Sequence, residues 1–288
     1  MLGKLIKYEF KATYSIHLLM CAIVLGMSVI CGLFSLIPTD QIVDDITHAG
    51  TVFSVMLQSL LQMLLGLMMS GITVTTLILI AVRFYKNLLG GDEGYLMFTL
   101  PVSRTQLLWS KLITAMCYIV LTSAVCMLAN ILAYLPLLIK TADIEANPGD
   151  VLAGLRDILQ AAVNLMRQIG YSDVSVSFML ASLIVSGIIS IPVSVLRFYS
   201  SVSIGHLAKK HRVVASFGAF FGFYAALQLI TLVAFVCLFV LLTADVTDQV
   251  RLTVTEIGIY TLPLFSSGQF ILHYLITRNV MNKHLNLR

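Results

Sequence analysis

Few residues in this sequence could do chemistry, and their spacing excludes more than it permits. Five cysteines, Cys21, Cys31, Cys117, Cys126 and Cys237, fall inside apolar runs with no CxxC pair. They read as small packing side chains, not as disulfides or metal ligands. There is no HExxH, no GxSxG and no carboxylate pair in a setting that would bury it, so hydrolytic chemistry has no residues to use. GxxxxGK[ST] is absent too, so no P-loop cradles a nucleotide phosphate. Within the apolar runs only neutral groups stand out: Gln58, Gln62, Asn130 and Gln228, with His17 and His273 toward the ends. Ion-coupled carriers need an ionisable group near the membrane midplane, and these side chains read instead as bonds between helices. No cofactor or metal is expected in this chain. Turn chemistry and charge concentrate in one place, "GGDEGYLMFTLPVSRTQLLWSKL", from Gly90 to Leu112.

The elements that must position that stretch are strongly apolar. The 288 residues are 59% hydrophobic and 11% charged, against about a quarter charged in soluble domains. A soluble fold could not cover so much apolar surface, so lipid is the better solvent. Six runs, about 16–37, 53–82, 112–139, 176–196, 213–243 and 257–277, carry no Lys, Arg, Asp or Glu. Each reaches the length of about 20 apolar residues that a spanning helix needs. Barrel strands would alternate polar and apolar, and these runs do not. Runs 53–82 and 213–243 are long enough to tilt or project past the bilayer. Pro136, Pro192 and Pro263 are candidate kinks, and "GAFFG" at Gly218 to Gly222 a candidate close-packing site.

Basic residues set the orientation. Fourteen of the 18 Lys and Arg fall on one side, in the N-terminal segment, the loops after runs two and four, and the C-terminal tail. Eleven of the 14 acids fall on the other. The positive-inside bias places both termini in the cytoplasm. The first run is too long for a signal-peptide core and lacks an Ala-x-Ala site, so it reads as a retained anchor. The expected fold is an all-α integral membrane protein with six transmembrane helices, treated as a single domain over 1–288. Within it, 1–15 is an amphipathic interfacial segment, 83–111 a cytoplasmic loop, and 140–175 an extracytoplasmic loop with an amphipathic helix.

The loop has internal order. Gly90 and Gly91 end the extension of span two, and Asp92 and Glu93 suit the positive end of a new helix dipole. Gly94, Tyr95, Leu96, Met97, Phe98 and Leu100 follow, and Pro101 stops that helix. Ser103-Arg104-Thr105-Gln106 is a capping box, with Val102 and Leu107 spaced as its hydrophobic staple. Trp109, the only tryptophan, is an interface anchor on the way into span three. The short helix reads either as an interfacial helix on lipid or as a docking helix for a soluble protein.

"GDEGYLMFTLPVSRTQLLWSKL" resembles the first cytoplasmic loop of bacterial ABC transporter permeases of the six-helix exporter type. The likeness extends to "LIKYEFKAT" at the N-terminus, "RFYSSVSIGHLAKKHRV" after span four and the "LNLR" ending. "PVSR…LL.SKL" is its most specific part, and the spans match in number and character only. The resemblance implies a coupling helix at about Asp92 to Leu100, seated in a groove of an ATPase subunit. The docking residues would be Asp92, Glu93, Gly94, Tyr95, Met97, Phe98, Leu100, Pro101 and Arg104, with Ser103 and Gln106 as the cap. It further implies two P-loop ATPase subunits and a second permease subunit, identical or related, in the bacterial cytoplasmic membrane. The permease does no chemistry itself, and no nucleic-acid partner is expected. An energy-independent channel or facilitator, and a membrane sensor or assembly factor, are the alternatives from other classes.

Two segments carry further expectations. Lys4, Lys7 and Lys11 share one face of the N-terminal helix, and Glu9 falls in its apolar face, either solvated or paired with Arg83 or Arg197 of the two "RFY" triplets. In the outer loop Asp150 can cap a helix with Val151, Leu155, Ile158, Leu159, Ala162, Leu165, Met166 and Ile169 in one apolar stripe.

Overall fold

The computed structural model describes residues 2–36, 49–86, 103–142, 156, 160–161, 163–208, 210–243 and 247–283. Among them the fold is all helical. Six long helices carry it: α1 (Leu2–Ser35), α2 (Ala49–Phe84), α3 (Arg104–Ala142), α4 (Asp173–His206), α5 (Arg212–Thr243) and α6 (Asp248–Lys283). They run 32 to 39 residues. At 1.5 Å per residue that is roughly 50 Å, well beyond a hydrocarbon core of about 30 Å.

Five of the six, all but α6, are long and apolar enough to cross a membrane. The sixth run of the sequence reading does lie within α6, but that helix does not reach the apolarity of the others. Ser266, Ser267, Gln269, His273 and Thr277 dilute it. The N-terminal segment also differs from the expectation. It is not a separate interfacial helix but the start of α1, since no proline or glycine after Lys11 interrupts the climb into the span.

The described residues group into two compact units, each treated by itself. One comprises residues 1–80 and 113–154, the other 81–112 and 155–288.

In the first unit the buried stripe of α1 reads Glu9, Thr13, His17, Cys21, Val24, Ser28, Cys31 and Ser35. Steps of three and four residues put these on one face. The polar and small side chains are inside, while Ile16, Leu19, Ile23 and Leu33 are exposed. Such a surface suits lipid. Cys21, Val24, Ile72, Val125 and Ala129 form one buried cluster, and Cys31, Leu65 and Ala133 a second. Cys21 and Cys31 therefore pack as small residues, whereas Cys117 and Cys237 are exposed, and Cys31 Sγ also donates to Leu61 O at 3.5 Å. His17 Nε2 meets Thr122 Oγ1 at 3.4 Å, which in turn meets Thr76 Oγ1 at 3.3 Å. Pro136 lies inside α3. Its missing N–H leaves Leu132 O without a helical donor. That oxygen fills the space a β-carbon would need at Gly32 of α1. Only glycine lets α1 come this close.

In the second unit α4 packs on both α5 and α6, which touch each other little. Pro263 similarly frees Ile259 O in α6, and Ser182 Oγ of α4 donates to it at 2.6 Å. Gly205 lies where α4 turns toward α5, and a β-carbon there would run into the Ser216 backbone. By contrast Gly218 and Gly222 have open space around them, so "GAFFG" is not a packing site among the described residues. Not one described residue of α5 is fully buried.

A short helix over 163–169 leads to α4. Gly170, at φ 111°, closes it with bonds from Gly170 N–H to Arg167 O and from Tyr171 N–H to Met166 O, the doubled C-cap that a left-handed residue permits. Ser172 then caps α4 by accepting from Ser175 N–H. Leu165 and Ile169 of the expected stripe are exposed. Asp150, Val151, Leu155, Ile158, Leu159 and Ala162 lie outside the described residues.

Candidate functional site

The stretch that concentrates charge and turn residues has two flanks, and both belong to the second unit. On the far flank the helix start is built as its residues dictate. Ser103 N–H donates to Gln106 Oε1, and Gln106 N–H donates to Ser103 Oγ, each at 3.3 Å. Two donors that a helix leaves orphaned are satisfied by one reciprocal exchange. The staple partner Leu107 is buried at 1% exposure, while Val102 lies outside the described residues.

Arg104 has a role that the sequence did not signal. Its NH1 donates to Met281 O at 3.0 Å and to Asn282 O at 3.1 Å, the last carbonyls of α6. A guanidinium there meets the negative end of the helix dipole and groups that have no intrahelical donor. Arg104 is thus a clasp between the start of α3 and the end of α6. Trp109, partly exposed, lies tilted against Tyr274 of α6 with ring centroids 6.0 Å apart.

One side chain joins both flanks. Tyr199 of α4 is 2% exposed and stacks on Phe84, at the end of α2, with centroids 4.0 Å apart and planes within 11°. Its hydroxyl donates to Lys111 O of α3 at 3.2 Å. Phe84 and Tyr199 each belong to one of the two "RFY" triplets, one at the end of α2 and one within α4, so repeated sequence becomes one joint. The neighbouring Tyr85 ring faces His206 at 6.4 Å, and Phe198 stacks on Phe220 of α5 at 4.7 Å.

Behind this joint is a polar cluster on α4 and α6. Arg197 NH2 donates to Gln269 Oε1 at 2.9 Å. Ser200 Oγ lies 2.9 Å from His273 Nδ1 and 3.0 Å from Arg197 O. Phe223 of α5 meets the His273 ring edge to face at 4.9 Å. The sequence reading ended span four at Leu196. The helix continues to His206, so Arg197 lies within it.

Of the expected docking residues, Asp92, Glu93, Gly94, Tyr95, Met97, Phe98, Leu100 and Pro101 lie outside the described residues. Arg104 begins α3, and its side chain bonds the last carbonyls of α6. Glu9, in the other unit, is buried at 8% exposure, as a position within the helix face requires. Arg197 has a neutral amide for its partner. No group of three or more His, Cys, Asp or Glu that could hold a metal occurs among the described residues. Comparison with protein-family models, curated proteins and solved structures finds no match.

Proposed function

We propose that this chain is the membrane-spanning permease subunit of an ABC exporter, energised by a separate P-loop ATPase in the bacterial cytoplasmic membrane. The observation that carries the reading is the string "GDEGYLMFTLPVSRTQLLWSKL". It stands between two flanks that one buried tyrosine holds together. In this reading α6 is the sixth span, both termini are cytoplasmic, and a second permease subunit, identical or related, completes the pathway.

The mechanism is mechanical. ATP binding closes a pair of ATPase subunits and displaces a coupling helix at about Asp92 to Leu100. A lever works only if its ends are stiff. The capping box fixes the start of α3, Tyr199 ties that start to the end of α2, and Arg104 ties it to the end of α6. A push on the loop is then delivered to α2, α3, α4 and α6 together. Free energy passes only through contacts that differ between open and closed states, which makes Tyr95 and Phe98 the residues to remove.

The test is co-purification of the tagged chain with a P-loop ATPase from its native membranes, followed by ATPase turnover in proteoliposomes. Tyr95→Ala with Phe98→Ala is expected to abolish both. Wild-type pairing and turnover in the double variant would overturn the docking assignment. Solute flux through the purified chain alone would overturn the whole reading.

A further inference from the structure

Among the described residues Arg197 is a charge without a counter-ion. It lies on α4, the helix against which both α5 and α6 pack while touching each other little. One terminal nitrogen is spent on the neutral Gln269 amide, and its Nε is buried with no acceptor among the described residues. No described carboxylate pairs with it. A guanidinium carries five donors in a planar fork, and a buried donor left without an acceptor is costly. Intramembrane arginines are otherwise paired, or they mark a site.

Position says which anion answers it. Arg197 lies nine residues before the end of α4, about 13 Å along the axis, at the edge of the run that is apolar from Val176 to Leu196. That is headgroup depth for the leaflet at this end of the helix. His273 and Tyr224 lie within electrostatic reach of Arg197. Near these residues in sequence, Phe221 on α5 and Leu272 on α6 are exposed apolar side chains. A phosphate at the guanidinium with acyl chains along these residues satisfies charge and apolar surface at once.

We propose that Arg197 holds the phosphate of an anionic membrane phospholipid against α4, between α5 and α6. The proposal rests on the helices lying in a membrane and not on the ATPase reading, so either can fail alone.

The test uses the full chain in nanodiscs of phosphatidylcholine, with or without phosphatidylglycerol, released for native mass spectrometry. Wild-type chain is expected to retain phosphatidylglycerol over phosphatidylcholine. Arg197→Gln should lower that retention at least tenfold, and Arg197→Lys, which keeps charge but loses the fork, should fall between them. Arg278→Gln, which removes a different exposed arginine, should leave it unchanged. Equal retention in wild type and Arg197→Gln overturns the proposal. If Arg197→Gln does not fold, a wild type with no preference for phosphatidylglycerol overturns it equally. Inorganic phosphate alone should neither displace the lipid nor stabilise the chain; if it does both, the site takes a free oxyanion and the lipid assignment is wrong.

Discussion

Ser182→Ala should expose the hidden dependence of α6 on α4. Pro263 has no N–H, so Ile259 O cannot close its helical bond, and the Ser182 hydroxyl at 2.6 Å supplies the missing donor. Removing the hydroxyl leaves an acceptor orphaned where water is scarce. An unsatisfied buried group costs about 1–3 kcal/mol, although hydrogen bonds between membrane helices average nearer 0.6 kcal/mol. The carbonyl has no helical substitute here, so a loss of about 1–2 kcal/mol is expected. The decisive control is the same substitution in a Pro263→Ala background. Residue 263 then donates to Ile259 O itself, and Ser182→Ala should cost only about 0.3 kcal/mol, giving a coupling energy of about 1 kcal/mol in the cycle. Any effect of the proline on the unfolded chain cancels. Reversible unfolding in mixed micelles, followed by the emission of the lone tryptophan, measures all four variants. Equal cost of Ser182→Ala in both backgrounds would refute the reasoning.

Two further substitutions address the joints of the second unit. Gly205→Ala places a methyl group against the Ser216 backbone and should destabilise by about 2 kcal/mol or more, since α4 and α5 must part; cysteine cross-linking across the turn would report the separation. Arg104→Gln removes the clasp on Met281 O and Asn282 O and should cost about 1 kcal/mol, because the site is exposed. Hydrogen exchange should rise in the last turn of α6 and leave α1 unchanged; unaltered exchange at Asn282 would count against the clasp.

What the sequence disclosed depended on how far apart the partners lie. The capping box was readable because Ser103 and Gln106 stand three residues apart, and every bond it makes is local. Helix positions were readable from unbroken apolar runs. The end of the fourth was misplaced because Arg197 interrupts the apolar pattern without interrupting the helix. For Arg104 the resemblance implies a partner, and no local pattern points to its acceptors within the chain, 177 and 178 positions away. Prolines announced themselves, but the helices that cover their freed carbonyls did not. Nothing in local pattern links Pro136 to Gly32 or Pro263 to Ser182. The two "RFY" triplets were the nearest thing to a long-range signal. They were read for their arginines, while the contact that joins them is Phe84 on Tyr199. The first unit reverses a habit of reading as well. In α1 the face turned inward is the one with Glu9, Thr13 and His17, because apolar side chains lose nothing by facing lipid.

The absence of any fully buried residue in α5 has a consequence for every measurement on this chain. Away from α4 its apolar flank meets little of the described protein. In the purified chain acyl tails or detergent stand in for a core there. Solubilisation therefore exchanges a structural component of the fold without altering one residue. A melting temperature belongs to the polypeptide and its coat together, and comparisons between variants hold only when that coat is the same.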